Sequence, residues 1–179
     1  MTSGDEFRDL IAAYIHANFG ALGLVVYVEV PLGKTIIGKN RHLDLLVLRP
    51  DDQRALGLEC KYQSTSGTTD EKIPYALQDL AAMWIPGALV YGGSGWSRGI
   101  LHLLEGSRLA VSCSPDKDLL RTKGTLELDH VLASVFGLWD RVIPESLRFV
   151  DEQLSLPGVG FARVPAKRAQ KSRAKKTGG

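Results

Sequence analysis

Apolar positions recur at two periods along this chain, and the period changes where the elements change. Phe7, Leu10, Ile11, Tyr14 and Ile15 repeat at helical spacing, so residues 4–19 read as an amphipathic helix. Ser3 with Glu6 makes a capping-box pattern at its start, and Gly20 and Gly23 end it. Residues 24–30 are β-branched and aromatic and predict a strand, with Pro31, Gly33 and Gly38 marking a loop behind it. Apolar runs at 42–48 and 55–62 predict two more strands, joined by a hairpin turn from Arg49 to Arg54. After a polar loop at 64–70, a helix begins near Lys72 to Pro74 and runs to about Trp84, where Pro86 and Gly87 stop it. A short strand at 88–91, a glycine-rich loop turning helical over 96–105, a strand at 109–112 and a helix over 126–141 follow.

That order predicts an α/β domain. Three strands joined by short turns make an antiparallel meander, and the strand-helix-strand passage after them favours a parallel neighbour. The expected sheet is therefore mixed, with helices packed on it.

The middle hairpin carries the chemistry. If it is symmetric about its Asp51-Asp52 midpoint, Leu45 faces Leu58, Val47 faces Leu56, and Asp44 faces Glu59. Alternation then sets Leu43, Leu45, Val47, Leu56, Leu58 and Cys60 on a core face, and His42, Asp44, Glu59 and Lys61 on the other. Two opposed carboxylates repel, so a cation must offset them. Lys61 does so in part, and a divalent ion does so better. Mg²⁺, with Mn²⁺ able to substitute, prefers oxygen ligands and takes one or two carboxylates. Asp44 and Glu59 supply those, with the Cys60 backbone carbonyl a further ligand. Such an ion neutralises charge on a phosphate, while the Lys61 ammonium orients or helps deprotonate an attacking water. Together these roles describe phosphodiester hydrolysis. Arg41 and His42, beside Asp44, are candidate phosphate contacts.

Composition sharpens the substrate. Seven of the 22 lysines and arginines, Arg163, Lys167, Arg168, Lys171, Arg173, Lys175 and Lys176, lie in the last 17 residues with no acid among them. The rest of the chain holds 15 bases against 20 acids. A tail of that kind is expected to be disordered when free and to meet nucleic-acid phosphates. One domain over residues 1–150 and a basic tail over 151–179 is the expected organisation. No run approaches the roughly 18 apolar residues of a membrane span. The N-terminus lacks a signal-peptide pattern, and Cys60 and Cys113 sit in apolar strands as buried thiols, so the expected setting is cytoplasmic.

Asp44 followed by Glu59-Cys60-Lys61, in this order of elements, resembles the PD-(D/E)XK nuclease superfamily over roughly residues 4–112. The resemblance implies the restriction-endonuclease-like fold, an αβββαβ core, here with an extra C-terminal helix and the basic tail. It implies a metal-dependent nuclease acting on DNA, with Asp44, Glu59 and Lys61 catalytic. Leu43 stands where the motif's name has proline. The segment Gly67 to Tyr75 is similar to the stretch following the catalytic lysine in some members. Glu6 matches an acid that many members place on the first helix toward the metal, although it equally completes the capping box. Gln63 and Gln78 match glutamines used near the metal or the scissile phosphate.

Gly93, Gly95 and Gly99 fit no phosphate-binding fingerprint and suit the turn before a helix. Trp84, Trp96 and Trp139 keep mostly apolar company, which favours core or interface packing over base stacking. The segment 126–141 is a candidate homodimer surface. The leading function is a Mg²⁺-dependent DNA endonuclease; a non-cleaving DNA-binding module, and an exonuclease or RNA-directed nuclease, are the alternatives.

Overall fold

A computed structural model describes residues 4–149 of the chain, so the basic tail, with Lys167, Arg168, Lys171, Arg173, Lys175 and Lys176, lies outside the described residues, as does Ser3. The chain divides into two compact units at Pro144. Of the second, residues 145–149 are described, and Glu145–Leu147 make a short turn closed by the Arg148 N–H donating to the Glu145 carbonyl. The first unit holds the sheet and its helices.

Helix α1 (Gly4–Phe19) is followed by three strands, β1 (Val25–Lys34), β2 (Asn40–Arg49) and β3 (Arg54–Tyr62). Then come α2 (Ile73–Ala81), β4 (Gly87–Gly92), α3 (Arg98–Glu105), β5 (Ala110–Ser112), α4 (Leu126–Phe136) and α5 (Trp139–Val142). The five strands form one sheet in sequence order. Strands β1, β2 and β3 pair antiparallel, whereas β4 joins β3, and β5 joins β4, in parallel. The sheet is therefore mixed, as the order of elements requires.

Each face of the sheet has its own core. On one, Phe7, Ile11, Tyr14 and Ile15 of α1 and Leu128, Leu132 and Phe136 of α4 pack on Leu45, Val47, Leu56, Leu58, Cys60, Val90 and Val111. On the other, Ile73, Ala76, Leu77 and Leu80 of α2 and Leu104 of α3 pack with Leu89, Tyr91 and Trp96. Strand β4 is covered on both sides, which is why Ala88 to Tyr91 reads as an unbroken apolar run. Both cysteines are buried and free.

Three boundaries differ from the sequence pattern, each for a local reason. Strand β1 continues through Pro31 to Lys34, because at a sheet edge proline has a solvent-facing side where no donor is needed. The hairpin tip is then only 35–39, closed by Thr35 and Lys39. Helix α2 stops at Ala81, so Trp84 falls beyond it. The expected helix over 126–141 is two helices, because Gly137 takes φ +67°, caps α4 and turns the chain.

Candidate active site

The β2–β3 ladder follows the symmetric register, pairing Leu45 with Leu58 and Val47 with Leu56. It ends at Leu45. The expected cross-strand pair of Asp44 with Glu59 is not among the described pairs. Instead the Asp44 side chain enters the gap and its Oδ2 accepts the Cys60 backbone N–H at 2.7 Å. That bond gives a backbone donor within the sheet its required partner. The same level is irregular in β1, where Val28 pairs with Leu45 and Val30 with Leu43 but Glu29, between them, holds φ +54°. The pleat changes here. Leu43, expected on the face of Leu45, instead lies on the α2 side: a Cβ at Gly57 would meet Leu43 Cδ1 at 2.9 Å and Met83 Cε at 2.8 Å.

The β2–β3 divergence makes room for one cation. Lys61 Nζ donates to Glu59 Oε1 at 2.6 Å and to the Cys60 carbonyl at 3.3 Å, and lies 3.8 Å from Asp44 Oδ2. The side chains of Lys61, Glu59 and Asp44 are each about a quarter exposed, at 21, 26 and 30%. Burial pushes the Glu59 carboxyl above its ordinary value and the charge of Asp44 adds to this, with Lys61 opposing. For Lys61, burial works to lower the pKa, but the attraction of Glu59 and then Asp44 outweighs it, and the ammonium is held more firmly than usual. The Cys60 thiol is pushed well up by burial, which leaves it inert.

Two carboxylates and a carbonyl thus converge on one positive group, so these are oxygens whose charge a cation offsets. Among the described residues no group of three or more His, Cys, Asp or Glu side chains is placed to hold an ion. An oxygen set with only two carboxylates suits an ion that keeps waters and phosphate oxygens in its other positions. The donor chemistry therefore fits a divalent cation that prefers oxygen ligands.

Two shallow depressions meet at Lys61. One is bordered by Asp5 and Arg8 of α1, Asp44, Thr69 and Lys72; the other by His42, Glu59, Tyr75 and again Lys72. Several expected residues stand elsewhere. Glu6 lines neither depression, since one residue along a helix is a rotation of about 100°; Asp5 borders the same depression as Asp44 in its place. Arg8, three residues further, is fixed by Glu29 at 2.6 Å and Asp9 at 2.9 Å. Gln78 is exposed on α2 and borders neither depression. Gln63 is buried and turned into the loops: its Nε2 donates to Asp70 Oδ1 at 2.7 Å and to the Gly95 carbonyl at 2.9 Å. Its Oε1 has no partner among the described residues. The glycine loop is a clamp rather than only a turn. A Cβ at Gly93 would sit 2.2 Å from the Gln63 carbonyl oxygen and one at Gly95 2.5 Å from the Thr65 backbone. This close approach anchors the root of the loop that brings Thr69 and Lys72 to the site.

Arg41 lines the second depression, but its charge is committed to Asp79. Its Nε donates to Asp79 Oδ2 at 2.8 Å and its Nη2 to the Asp79 carbonyl at 3.2 Å, both side chains nearly buried. Asp79 Oδ1 accepts the Ile36 N–H at 2.8 Å, so the pair fastens α2 to the hairpin tip. Arg41 holds Asp79 below the usual carboxylate range against the opposing effect of burial, with the Ile36 N–H assisting. A depressed carboxylate stabilises the fold above its unfolded pKa, about 3.9, and that contribution disappears as pH falls through the folded value. Asp79→Asn should lower stability at pH 7 and flatten the acid limb below about pH 4. Urea melts from about pH 2.5 to 7 check this; parallel limbs for both proteins would contradict it.

Among known proteins, the PD-(D/E)XK nuclease superfamily domain matches residues 3–139. The chain is similar to a repair endonuclease from Pyrococcus abyssi at 20% identity and a TM-score of 0.35, over 57% of this chain and 44% of that one. It thus spans less than half of that structure's length. It is also similar to a protein of unknown function at 12% identity and a TM-score of 0.42, over 81% of this chain and 73% of that one. No curated protein matches it. The match from residue 3 to 139 takes in all five strands together with Asp44, Glu59 and Lys61, and the chain belongs to the PD-(D/E)XK nuclease superfamily.

Proposed function

We propose that this protein is a Mg²⁺-dependent DNA endonuclease, with Asp44, Glu59 and Lys61 as its catalytic residues. The observation that carries the proposal is the convergence of both carboxylates and the Cys60 carbonyl on Lys61 Nζ, at the meeting point of two open depressions. Asp44 and Glu59, with the Cys60 carbonyl, would hold the ion. A bound divalent cation supplies neutralisation of charge developing on the phosphodiester. Asp44 is oriented for this by the Cys60 N–H, which fixes one of its oxygens. Lys61, beside these carboxylates, would orient the attacking water or help to deprotonate it, and would add positive charge where the phosphate becomes more negative. The water oxygen forms the new P–O bond as its proton passes to the surrounding water, one ester P–O bond breaks, and the departing oxygen takes up a proton from solvent.

His42 and Lys72 border the depressions and are assigned to phosphate. Arg41, Gln63 and Gln78 are assigned supporting or surface roles instead, and Asp5 replaces Glu6 as the acid of α1 beside the metal.

The test incubates supercoiled plasmid, linear duplex, single strands, branched DNA and RNA with the protein in Mg²⁺, Mn²⁺ or EDTA. Nicking or linearisation of plasmid with either metal, lost in EDTA and in Asp44→Ala, supports the proposal. Shortening from ends alone, cutting of RNA alone, or no cutting each overturns it in favour of an exonuclease, a ribonuclease or a non-cleaving module.

The basic tail is assigned to non-specific phosphate binding. Deleting residues 163–179 should weaken DNA binding most at moderate salt and make the slope of log K against log salt shallower, by up to about 0.9 for each phosphate that the tail neutralises. An unchanged affinity and slope would remove the tail from the interface.

A further inference from the structure

Trp84 is 87% exposed, which is unusual for the residue with the largest apolar surface. It is not a lone outlier. Ile36 (44% exposed) and Ile37 (60%) at the tip of the β1–β2 hairpin, and Tyr75 (38%) in the first turn of α2, also stand in water. The group is held in place. The six-membered ring of Trp84 rests over Gly33, within 3.4–3.9 Å of where that residue's Cβ would be, and Gly33 adopts φ +64°, a conformation that side chains disfavour. The hairpin tip is in turn pinned to α2 by the Ile36 N–H bond to Asp79.

The hairpin itself carries charge of one sign. Residues 30–43 contain Lys34, Lys39 and Arg41 and no acid, in a chain that is otherwise acidic outside its tail. Arg41 is neutralised by Asp79, whereas Lys34 donates to the uncharged Asn40 side chain at 2.6 Å. Neither Lys34 nor Lys39 has an ion pair among the described residues. The second depression leads from Thr35 and Asn40 past His42 and Tyr75 to Glu59 and Lys61. That depression, which Thr35 and Asn40 of the hairpin and Met83 next to Trp84 also line, is a track that joins the neighbourhood of these exposed groups to the carboxylates.

We propose that Trp84 and the Ile36–Ile37 hairpin tip form a stacking platform for unpaired nucleobases, which guides a single-stranded stretch of nucleic acid along this track to the Lys61 site. The inference rests on the nucleic-acid substrate proposed above and narrows it. The two lysines favour a polyanion over an apolar protein surface. A paired duplex turns its base faces inward and offers the indole little, whereas every unpaired base presents a π-face. The preferred substrate is then a strand with a frayed, flapped or gapped segment rather than continuous duplex.

Binding is measured in EDTA, so that no cutting is needed, by fluorescence anisotropy of a labelled oligothymidylate and of a blunt duplex of the same length. The full-length wild type is compared with Trp84→Ala and Trp84→Phe. The platform predicts that Trp84→Ala weakens single-strand binding by roughly tenfold or more. Duplex affinity should stay within about twofold, Trp84→Phe should recover most of the loss, and melting temperatures should be unchanged because the indole is outside the core. Single strand should also shield one tryptophan of the wild type from acrylamide quenching, and none in Trp84→Phe. Unchanged single-strand affinity in Trp84→Ala, or an equal loss for both ligands, overturns the platform. So does a variant whose only change is dissociation of a dimer on gel filtration, which would assign the rim to a second copy. A protein that binds single strands through Trp84 yet cuts nothing overturns the nuclease reading alone, and one that cuts plasmid with Trp84 irrelevant overturns the platform alone.

Discussion

Lys61→Met should reduce DNA cleavage by about a thousandfold or more without loss of the fold. That figure combines about 10²–10³ for removing one preorganised charge aimed at a transition state with the loss of water orientation. Methionine keeps most of the stem's volume, so the packing around it changes little. The variant also separates two roles that a simple loss of activity would merge. Asp44→Asn and Glu59→Gln each replace a charged carboxylate by a neutral amide at the metal site, so they should lose both cleavage and the rise in melting temperature that Mg²⁺ gives the wild type. That rise corresponds to about 2.7 kcal/mol when the ion is at about 100 times its Kd. Lys61→Met should lose cleavage and keep the thermal shift, since removing the ammonium leaves the same oxygens with more uncompensated negative charge. Thermal melts with and without Mg²⁺ beside plasmid cleavage give both readouts. Undiminished cutting by Lys61→Met would end its catalytic assignment, and an Mg²⁺ shift surviving in Asp44→Asn and Glu59→Gln would place the ion elsewhere.

The period-2 pattern and turn chemistry are enough to place Asp44, Glu59 and Lys61 on adjacent strands, because alternation and hairpin symmetry are local properties of the chain. The mixed sheet is legible for the same reason: short turns permit only antiparallel pairing, and the passage through α2 permits a parallel return. What escapes the pattern depends on contacts between distant segments. Nothing near Arg41 signals that Asp79, on another element, will take its charge. Gln63 continues the alternation of the active face, yet the strand has ended by then, and the close approach of Gly93 and Gly95 turns its side chain into the loops. Parity puts Leu43 with Leu45, and parity fails once Asp44 breaks the ladder and Glu29 the edge strand. Asp5 and Arg8 could be found by asking which side of α1 lies beside the buried stripe of Phe7 and Ile11, where their spacing of three puts them together. Trp84 falls outside α2 against expectation because Ala81, Ala82 and Met83 are good helix formers and hide the end of the helix.

Asp129→Ala is expected to be the most destabilising polar substitution in the first unit. Asp129 is 1% exposed, in the first turn of α4, and both its oxygens are engaged: Oδ1 accepts the Tyr14 hydroxyl at 2.6 Å and Oδ2 accepts Arg121 Nε at 3.0 Å. Arg121 continues the network, donating to the Arg141 carbonyl at 2.6 Å. The carboxylate therefore ties α1 to α4, and through Arg121 to α5. Its removal takes the 2.6 Å acceptor from the hydroxyl of a fully buried tyrosine and frees a guanidinium that is 35% exposed. Breaking a buried pair costs about 3–5 kcal/mol, and the partial exposure of Arg121 argues for the lower end, about 3 kcal/mol. Against a total of about 5–15 kcal/mol for a domain, that is a large share. Tyr14→Phe removes one bond and should cost about 1–1.5 kcal/mol. Alkaline titration supplies an independent reading of the same joint. Burial first, and then the bond to Asp129, raise the Tyr14 pKa strongly in the folded state. The unfolded chain then releases this proton from about pH 10 while the folded one keeps it, so stability falls as pH rises beyond that point. Tyr14→Phe should make that slope shallower, the remainder coming from Cys60, Cys113 and Tyr91, which burial also raises. Urea melts at about pH 7 and about pH 10.5 test both statements. A cost below about 1 kcal/mol for Asp129→Ala, or an alkaline limb unchanged in Tyr14→Phe, would show that the apolar packing of α1 and α4 alone holds this side of the sheet.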